Sequence, residues 1–113
     1  MKIQLTITEA AELEMLVMAA QKAKRLEDLG SQRKLRGALE RIGLRRNENG
    51  WKCLKRLIDR TIEIDFSRVE VLVLVIFVEF AISRHIDDEY RSLPDILGKM
   101  NARAREVGLL VEK

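Results

Sequence analysis

The sequence predicts a mostly α-helical fold with a small β element, built from two halves that each run strand, helix, helix. Three observations predict it. Residues 3–7 and 62–66 alternate apolar and polar side chains, which is the period of a half-buried strand. Each of these segments is followed by a Thr or Ser that can cap a helix, and then by a long apolar stretch. The two units start fifty-nine positions apart (62 minus 3), which suggests pseudo-repeat halves of about residues 1–59 and 60–113 in a single domain.

The first strand, residues 3–7, leads into a helix that is predicted to begin after Thr8. That helix is predicted to end at residues 28–30, because Gly30 can take the left-handed conformation that often closes a helix. Ser31 is predicted to cap a second helix, which ends at Gly43. The apolar face of this second helix consists of Leu35, Ala38, Leu39 and Ile42.

Residues 47–50, Asn-Glu-Asn-Gly, read as a loop because Asn and Gly tolerate a positive φ. A short third helix is predicted to follow. Its inward residues are Trp51, Leu54 and Ile58, and its outward residues are Lys52, Lys55, Arg56 and Arg60.

The second half opens with a strand over residues 62–66 and a capping box, Ser67-Arg-Val-Glu70. Residues 69–82 are rich in β-branched side chains, but their length and the capping box favour a helix over a strand. A last helix is predicted from Ser92 to Gly108, with Pro94 in its first turn. Its buried face consists of Ile96, Leu97, Met100, Ala104 and Val107.

The two strands are predicted to pair antiparallel as a short ribbon packed on the helical core. Their apolar residues then face the helices, while their polar residues face outward: Lys2, Gln4, Thr6, Glu63 and Asp65. The matching halves leave two interpretations open, a true duplication or the general likeness of any two strand-helix units.

Composition narrows the class of protein. The chain has 113 residues, which suits one domain, and its single cysteine allows neither an intrachain disulfide nor a zinc framework. The N-terminus lacks the apolar stretch of a secretory signal, so a cytoplasmic location is expected. Residues 71–82 are apolar except for Glu79, but a helix of this length spans about 18 Å, well short of a bilayer core of about 30 Å.

No motif for phosphate binding, dinucleotide binding, zinc proteolysis or a serine nucleophile is present. His85 with Asp88 and Glu89 has the spacing of a metal site, but a charged helix end explains the same residues, and we expect no metal. A nucleophilic cysteine needs a base, and the single histidine of the chain, His85, is far from Cys53 in sequence. We therefore expect no cofactor, no small-molecule substrate and no enzymatic activity.

The apolar helix over residues 71–82 predicts either a central core helix or self-association as a homodimer. Glu79 then needs a partner if it is buried, or else it lies at an edge that meets water. The candidate interface residues are Val71, Val75, Val78, Glu79 and Ile82.

Positive charge is concentrated in residues 22–60, where thirteen Lys and Arg against five Asp and Glu give a net charge of +8. Lys34, Arg41 and Arg45 are predicted to form one stripe along the second helix. A helix-turn-helix is a poor match, because the connection over residues 43–50 is about twice the usual length. The candidate contact residues are Arg33, Lys34, Arg36, Arg41, Arg45, Arg46, Lys52, Lys55, Arg56 and Arg60. We expect a small non-catalytic interaction or regulatory protein that engages an acidic protein surface, with nucleic acid as the alternative partner.

Overall fold

The computed structural model describes residues 1–47, 50–52, 60–84 and 90–108. Within these ranges the chain forms four helices and two antiparallel strand pairs, so the prediction of a mostly α-helical fold with a small β element is confirmed. The elements in chain order are β1 (Lys2–Thr6), α1 (Ile7–Lys22), α2 (Ser31–Arg41), β2 (Arg45–Asn47), β3 (Gly50–Lys52), β4 (Thr61–Asp65), α3 (Arg68–Ser83) and α4 (Leu93–Glu106).

The predicted ribbon is present, with β1 and β4 paired antiparallel and Ile3 opposite Ile64. Ile3, Leu5 and Ile64 are buried against the helices, whereas the alternate residues Lys2, Gln4, Glu63 and Asp65 are exposed. The α-amino group of Met1 extends the pairing, since it donates to Asp65 Oδ1 at 2.7 Å. This contact lowers the pKa of the Asp65 carboxyl, through the hydrogen bond first and the positive charge second.

The helix after β1 begins two residues earlier than predicted. Thr6, and not Thr8, is the N-cap of α1, because Thr6 Oγ1 accepts from Glu9 N at 3.2 Å and Glu9 Oε1 accepts from Thr6 N at 2.7 Å. Thr8 lies exposed in the first turn. Only a cap at Thr6 places a glutamate at the third helical position, so the reciprocal bonds of a capping box decide between the two threonines.

The capping box of α3 is confirmed at Ser67 and Glu70, with hydrogen bonds of 3.1 and 2.8 Å. The two boxes, Thr6 with Glu9 and Ser67 with Glu70, are therefore sixty-one positions apart (67 minus 6), which corrects the predicted spacing of fifty-nine.

The corrected spacing also relates the buried residues of the two halves. The pairs in the first helices are Ala10 with Val71, Leu13 with Leu74, Val17 with Val78, and Ala20 with Ala81. Ile3 and Ile64 have the same spacing and also lie opposite each other in the sheet. An antiparallel pair has a local two-fold axis, so β1 and β4 are related by a two-fold axis between Ile3 and Ile64.

The end of α1 differs from the prediction. The helix ends at Lys22, and Lys24 takes the left-handed conformation with a φ of +57°. Arg25 N then donates to Ala20 O at 2.9 Å, and Lys24 N donates to Gln21 O at 3.0 Å, which are the two bonds of a Schellman motif. Gly30, with a φ of +92°, is the N-cap of α2 and not the end of α1.

The second helix of each half follows the prediction more closely. In α2, Leu35, Ala38 and Leu39 are buried and Ile42 is partly buried, and Gly43 closes the helix with a φ of +92°. In α4, the predicted residues Ile96, Met100 and Ala104 are buried, with Leu97 and Val107 partly covered.

The predicted third helix is wrong where it can be checked. Trp51 and Lys52 lie in β3, which pairs with β2 as a hairpin, with Arg46 opposite Trp51. Arg60 is described and lies outside any helix, whereas residues 53–59, including Cys53, Leu54, Lys55, Arg56 and Ile58, lie outside the described residues.

Candidate binding surface on α2 and the β2–β3 hairpin

A buried carboxylate fixes the hairpin to the helices. Glu14 of α1 is fully buried, and its two oxygens accept three hydrogen bonds from three other elements. The donors are Gln32 Nε2 at 3.1 Å, Arg46 Nη2 at 2.8 Å and Trp51 Nε1 at 3.1 Å. Burial of a charge is costly unless it is paired and hydrogen-bonded, and these contacts meet both conditions.

The inward pair of the hairpin determines which residues point outward. Arg46 and Trp51 are opposite each other and turn toward Glu14, with the guanidinium 5.9 Å from the centre of the indole ring. Since successive residues of a strand face opposite sides, the next pair, Arg45 and Lys52, faces solvent. The contacts of Glu14 with Arg46 and Trp51 thus orient the hairpin so that Arg45 and Lys52 face outward.

Arg45 and Lys52 are like charges placed directly across the hairpin, an arrangement that destabilises a strand pair. Neither has an ion-pair partner within the described ranges 1–47, 50–52, 60–84 and 90–108. An anion bound between them would relieve their repulsion, so the pair has the electrostatics of an anion-binding position.

Helix α2 contributes a third cation, Arg36, beside Arg45. Arg36 is exposed and donates to Glu40 Oε1 at 2.9 Å, one helical turn away. Arg36, Glu40 and Arg45 line one shallow surface pocket of about 460 Å³, together with Gly43, Leu44 and Arg46. We refer to Arg36, Arg45 and Lys52 as the basic face.

The other candidate contact residues do not belong to the basic face. Lys34 forms an ion pair with the buried Glu70 of α3, and Arg45 lies on β2 and not on α2, so the predicted stripe of Lys34, Arg41 and Arg45 does not exist. Arg46 is directed inward to Glu14. Arg33, at 3.9 Å from Asp28, is exposed, as are Arg41 and Arg60. Lys55 and Arg56 lie outside the described residues.

The ion pair of Lys34 with Glu70 joins the two halves of the chain. Burial raises the pKa of the Glu70 carboxyl, but the hydrogen bonds from Lys34 and from Ser67 outweigh it, and the pKa lies below its ordinary value. Lys99 of α4 makes the corresponding contact with Glu9 of α1 at 2.5 Å. Thus α2 and α4 each form an ion pair with the capping-box glutamate of the other half, which gives Lys34 and Lys99 a structural role.

Glu14 is the site residue that the sequence did not identify. Glu14 follows Leu13 in an otherwise ordinary amphipathic pattern, and its three donors are eighteen to thirty-seven positions away. No local signal marks it. Glu79, by contrast, is exposed, which answers the question of its environment in favour of an edge that meets water.

The candidate interface residues on α3 also need correction. Val71, Val75 and Val78 are buried in the core of their own chain and Ile82 is partly buried, which leaves Glu79 as the exposed member of the set. The exposed apolar residues of α3 lie on its other side.

Within the described residues there is no cluster of three His, Cys, Asp or Glu that could hold a metal ion. His85, Asp88, Glu89 and Cys53 lie outside these residues. None of the helices described has the length and apolar character that crossing a bilayer requires. No family model matches the chain, and comparison with curated proteins and with solved structures finds no significant similarity.

Proposed function

We propose that this chain is a small non-catalytic binding protein whose basic face engages an acidic surface of a partner protein. The observation that carries the proposal is the outward pair of Arg45 and Lys52. The buried Glu14 network supports the hairpin that carries this pair. Two like charges side by side, with no ion-pair partner among the residues described, are suited to a carboxylate between them.

The composition of the pocket favours an acidic protein over nucleic acid. Glu40 lies in the same depression as Arg36 and Arg45, and its carboxylate would repel a continuous row of phosphates. A protein surface can place its carboxylates at the cations and leave Glu40 facing a donor or solvent. Arginine also forms forked hydrogen bonds with a carboxylate, which gives such contacts directional specificity.

Nucleic acid remains the second candidate, and the hairpin is the observation that favours it. A two-stranded ribbon fits the major groove of DNA, and the exposed cations Arg45 and Lys52 of this hairpin would be available to phosphates that flank the groove. Affinity that depends on several phosphate contacts would fall steeply between about 50 and 200 mM salt.

The test uses two double variants of equal charge. Arg45→Glu/Lys52→Glu reverses the outward pair, and Arg68→Glu/Arg91→Glu reverses two exposed cations in the second half of the chain. We expect recovery of acidic host proteins by immobilised protein to fall at least about tenfold for the first variant and to stay near wild type for the second. The same proteins are titrated with a labelled DNA duplex across the salt range.

Equal recovery of every partner by the two variants would contradict the proposal, because it would show that the basic face makes no specific contact. Salt-dependent binding of the duplex that is lost only in Arg45→Glu/Lys52→Glu would instead support the nucleic-acid candidate.

A further inference from the structure

Helix α3 has two apolar sides, and the described part of its own chain covers one of them. Val71, Leu74 and Val78 are buried in the core. On the other side Val69 is 60% exposed, Ile76 is 67% exposed and Phe80 is 45% exposed. A single exposed apolar side chain needs no explanation, but a row of them on one face marks an interaction surface.

The exposed row has the spacing of a coiled-coil seam. Val69, Val73, Ile76 and Phe80 follow one another at intervals of four, three and four residues, which is the alternation of d and a positions in a heptad. Val73 is partly exposed, so the row is continuous along the helix. Phe77 and Leu26 widen it into an apolar depression.

Helix α1 provides an internal comparison, because it occupies the equivalent place in the first half. At the spacing of sixty-one residues defined by the two capping boxes, Val69, Val73, Ile76 and Phe80 correspond to Thr8, Glu12, Met15 and Ala19. Three of these four residues are polar or small. The fold therefore does not require large apolar side chains at these positions, and none of the residues described covers the row on α3.

We propose that a second copy of this chain covers the row, with the two α3 helices side by side and parallel about a two-fold axis. The charges at the edge of the row identify the occupant. Glu79 and Arg84, the C-cap of α3, are both exposed, and they flank the seam at g and at the following e position. In a parallel pair of helices a g residue lies beside the e residue five positions further along the partner helix, and charges there set partner choice and orientation.

Glu79 and Arg84 cannot make this contact within one chain. Five residues correspond to a rotation of about 140° around the helix, so the two side chains diverge, whereas pairs three or four residues apart lie side by side. The described ion pairs include neither residue, and Arg84 instead lies with its guanidinium 5.2 Å from the centre of the Phe80 ring. In the parallel dimer two equivalent contacts form, one on each side of the seam. In an antiparallel pair, g positions lie beside g positions and e positions beside e positions, so neither contact between Glu79 and Arg84 would form.

The first experiment measures mass by sedimentation equilibrium of the intact chain. We expect wild type to reach twice 13.1 kDa in the micromolar range and Phe80→Glu to remain at 13.1 kDa. The matched control is Thr8→Glu, which places the same charge on the exposed α1 position equivalent to Val69 of the row and is expected to dimerise like wild type. Circular dichroism of both variants verifies that they are folded. A wild-type mass of 13.1 kDa at about 200 μM, where even a weak dimer would be populated, overturns the proposal.

The second experiment tests the parallel arrangement by exchanging charges. Glu79→Arg and Arg84→Glu each place like charges together at both contacts, and we expect each to raise the dimer dissociation constant about threefold to tenfold. The double exchange Glu79→Arg/Arg84→Glu restores opposite charges and is expected to return the constant to within about twofold of wild type. If the double exchange is as weak as the sum of the single changes, the parallel dimer is excluded. This outcome is independent of the basic face, which neither set of variants changes.

Discussion

Some charged residues of this chain form ion pairs with buried groups, and others face solvent. Which of the two a residue does depends on its position in the strand or helix. Arg45 and Arg46 are neighbours in sequence, yet the first faces solvent and the second is drawn inward to a fully buried carboxylate. An alternating strand produces this division, since adjacent side chains point to opposite sides. The charge of residues 22–60 therefore cannot be treated as one surface property: part of it stabilises the fold, and part is available to a partner.

The neighbouring arginines allow a matched test at the residue scale. Arg46→Met removes the charged partner of Glu14 and leaves the carboxylate buried with Trp51 and Gln32 alone, so we expect a loss of about 3 kcal/mol in the free energy of unfolding. Arg45→Met makes the same change one residue earlier and relieves the repulsion with Lys52, so it should stay within about 0.5 kcal/mol of wild type. Urea denaturation followed by circular dichroism measures both. A similar loss in the two variants would show that the Glu14 network does not anchor the hairpin.

At the scale of elements, local patterns identified most of the helices and both long strands. The alternation in residues 3–7 and 62–66, the Ser67 capping box and the glycine at position 43 are signals contained within a few residues, and each corresponds to an observed feature. The N-terminus of α1 was misplaced because Thr6 and Thr8 are both suitable caps and the alternating pattern continues through Ile7. The choice depends on the position of Glu9 relative to each.

The hairpin was missed for a different reason. Trp51, Leu54 and Ile58 have helical spacing, and that local pattern predicted a helix directly after the loop at residues 47–50. What places Trp51 in a strand is its hydrogen bond with Glu14, thirty-seven residues earlier, and its pairing with Arg46. A contact between residues so distant in sequence has no local signal. The buried Glu14 that anchors the hairpin therefore could not be predicted from the sequence. The outward residues Arg36, Arg45 and Lys52 were among the candidate contact residues.

The corrected start of α1 leads to a prediction at the element scale. Thr6→Ala removes the oxygen that accepts from Glu9 N and should lower the free energy of unfolding by about 1 kcal/mol. Ser67→Ala should lower it by a similar amount at the start of α3. Thr8→Ala is the control, since Thr8 is exposed within the first turn and caps nothing, and its effect should be within about 0.5 kcal/mol. Chemical denaturation of the three variants decides the matter. A larger loss for Thr8→Ala than for Thr6→Ala would place the cap at Thr8 after all.

At the scale of the whole molecule, the two halves are similar in plan but depend on each other for their contacts. The sheet takes one strand from each half. Lys34 of the first half binds Glu70 of the second, and Lys99 of the second binds Glu9 of the first. Glu12 in α1 accepts a hydrogen bond from Ser92 N, at the start of α4. Because stabilising contacts cross between the halves, we expect the chain to unfold as one cooperative unit.

Two equivalent core positions test this cooperativity. Leu13 in the first half and Leu74 in the second are both buried at the same place in their helices, so Leu13→Ala and Leu74→Ala should each cost about 3 kcal/mol. The single tryptophan, Trp51, lies in the first half, and its fluorescence reports on the hairpin, while far-ultraviolet circular dichroism reports on all four described helices. We expect Leu74→Ala to lower the midpoint of the Trp51 transition as much as it lowers that of the helical signal, and as much as Leu13→Ala does. If Leu74→Ala lowered the midpoint of the helical signal while the Trp51 transition kept its wild-type midpoint, the two halves would unfold separately. The contacts between the halves would then be too weak to couple their unfolding.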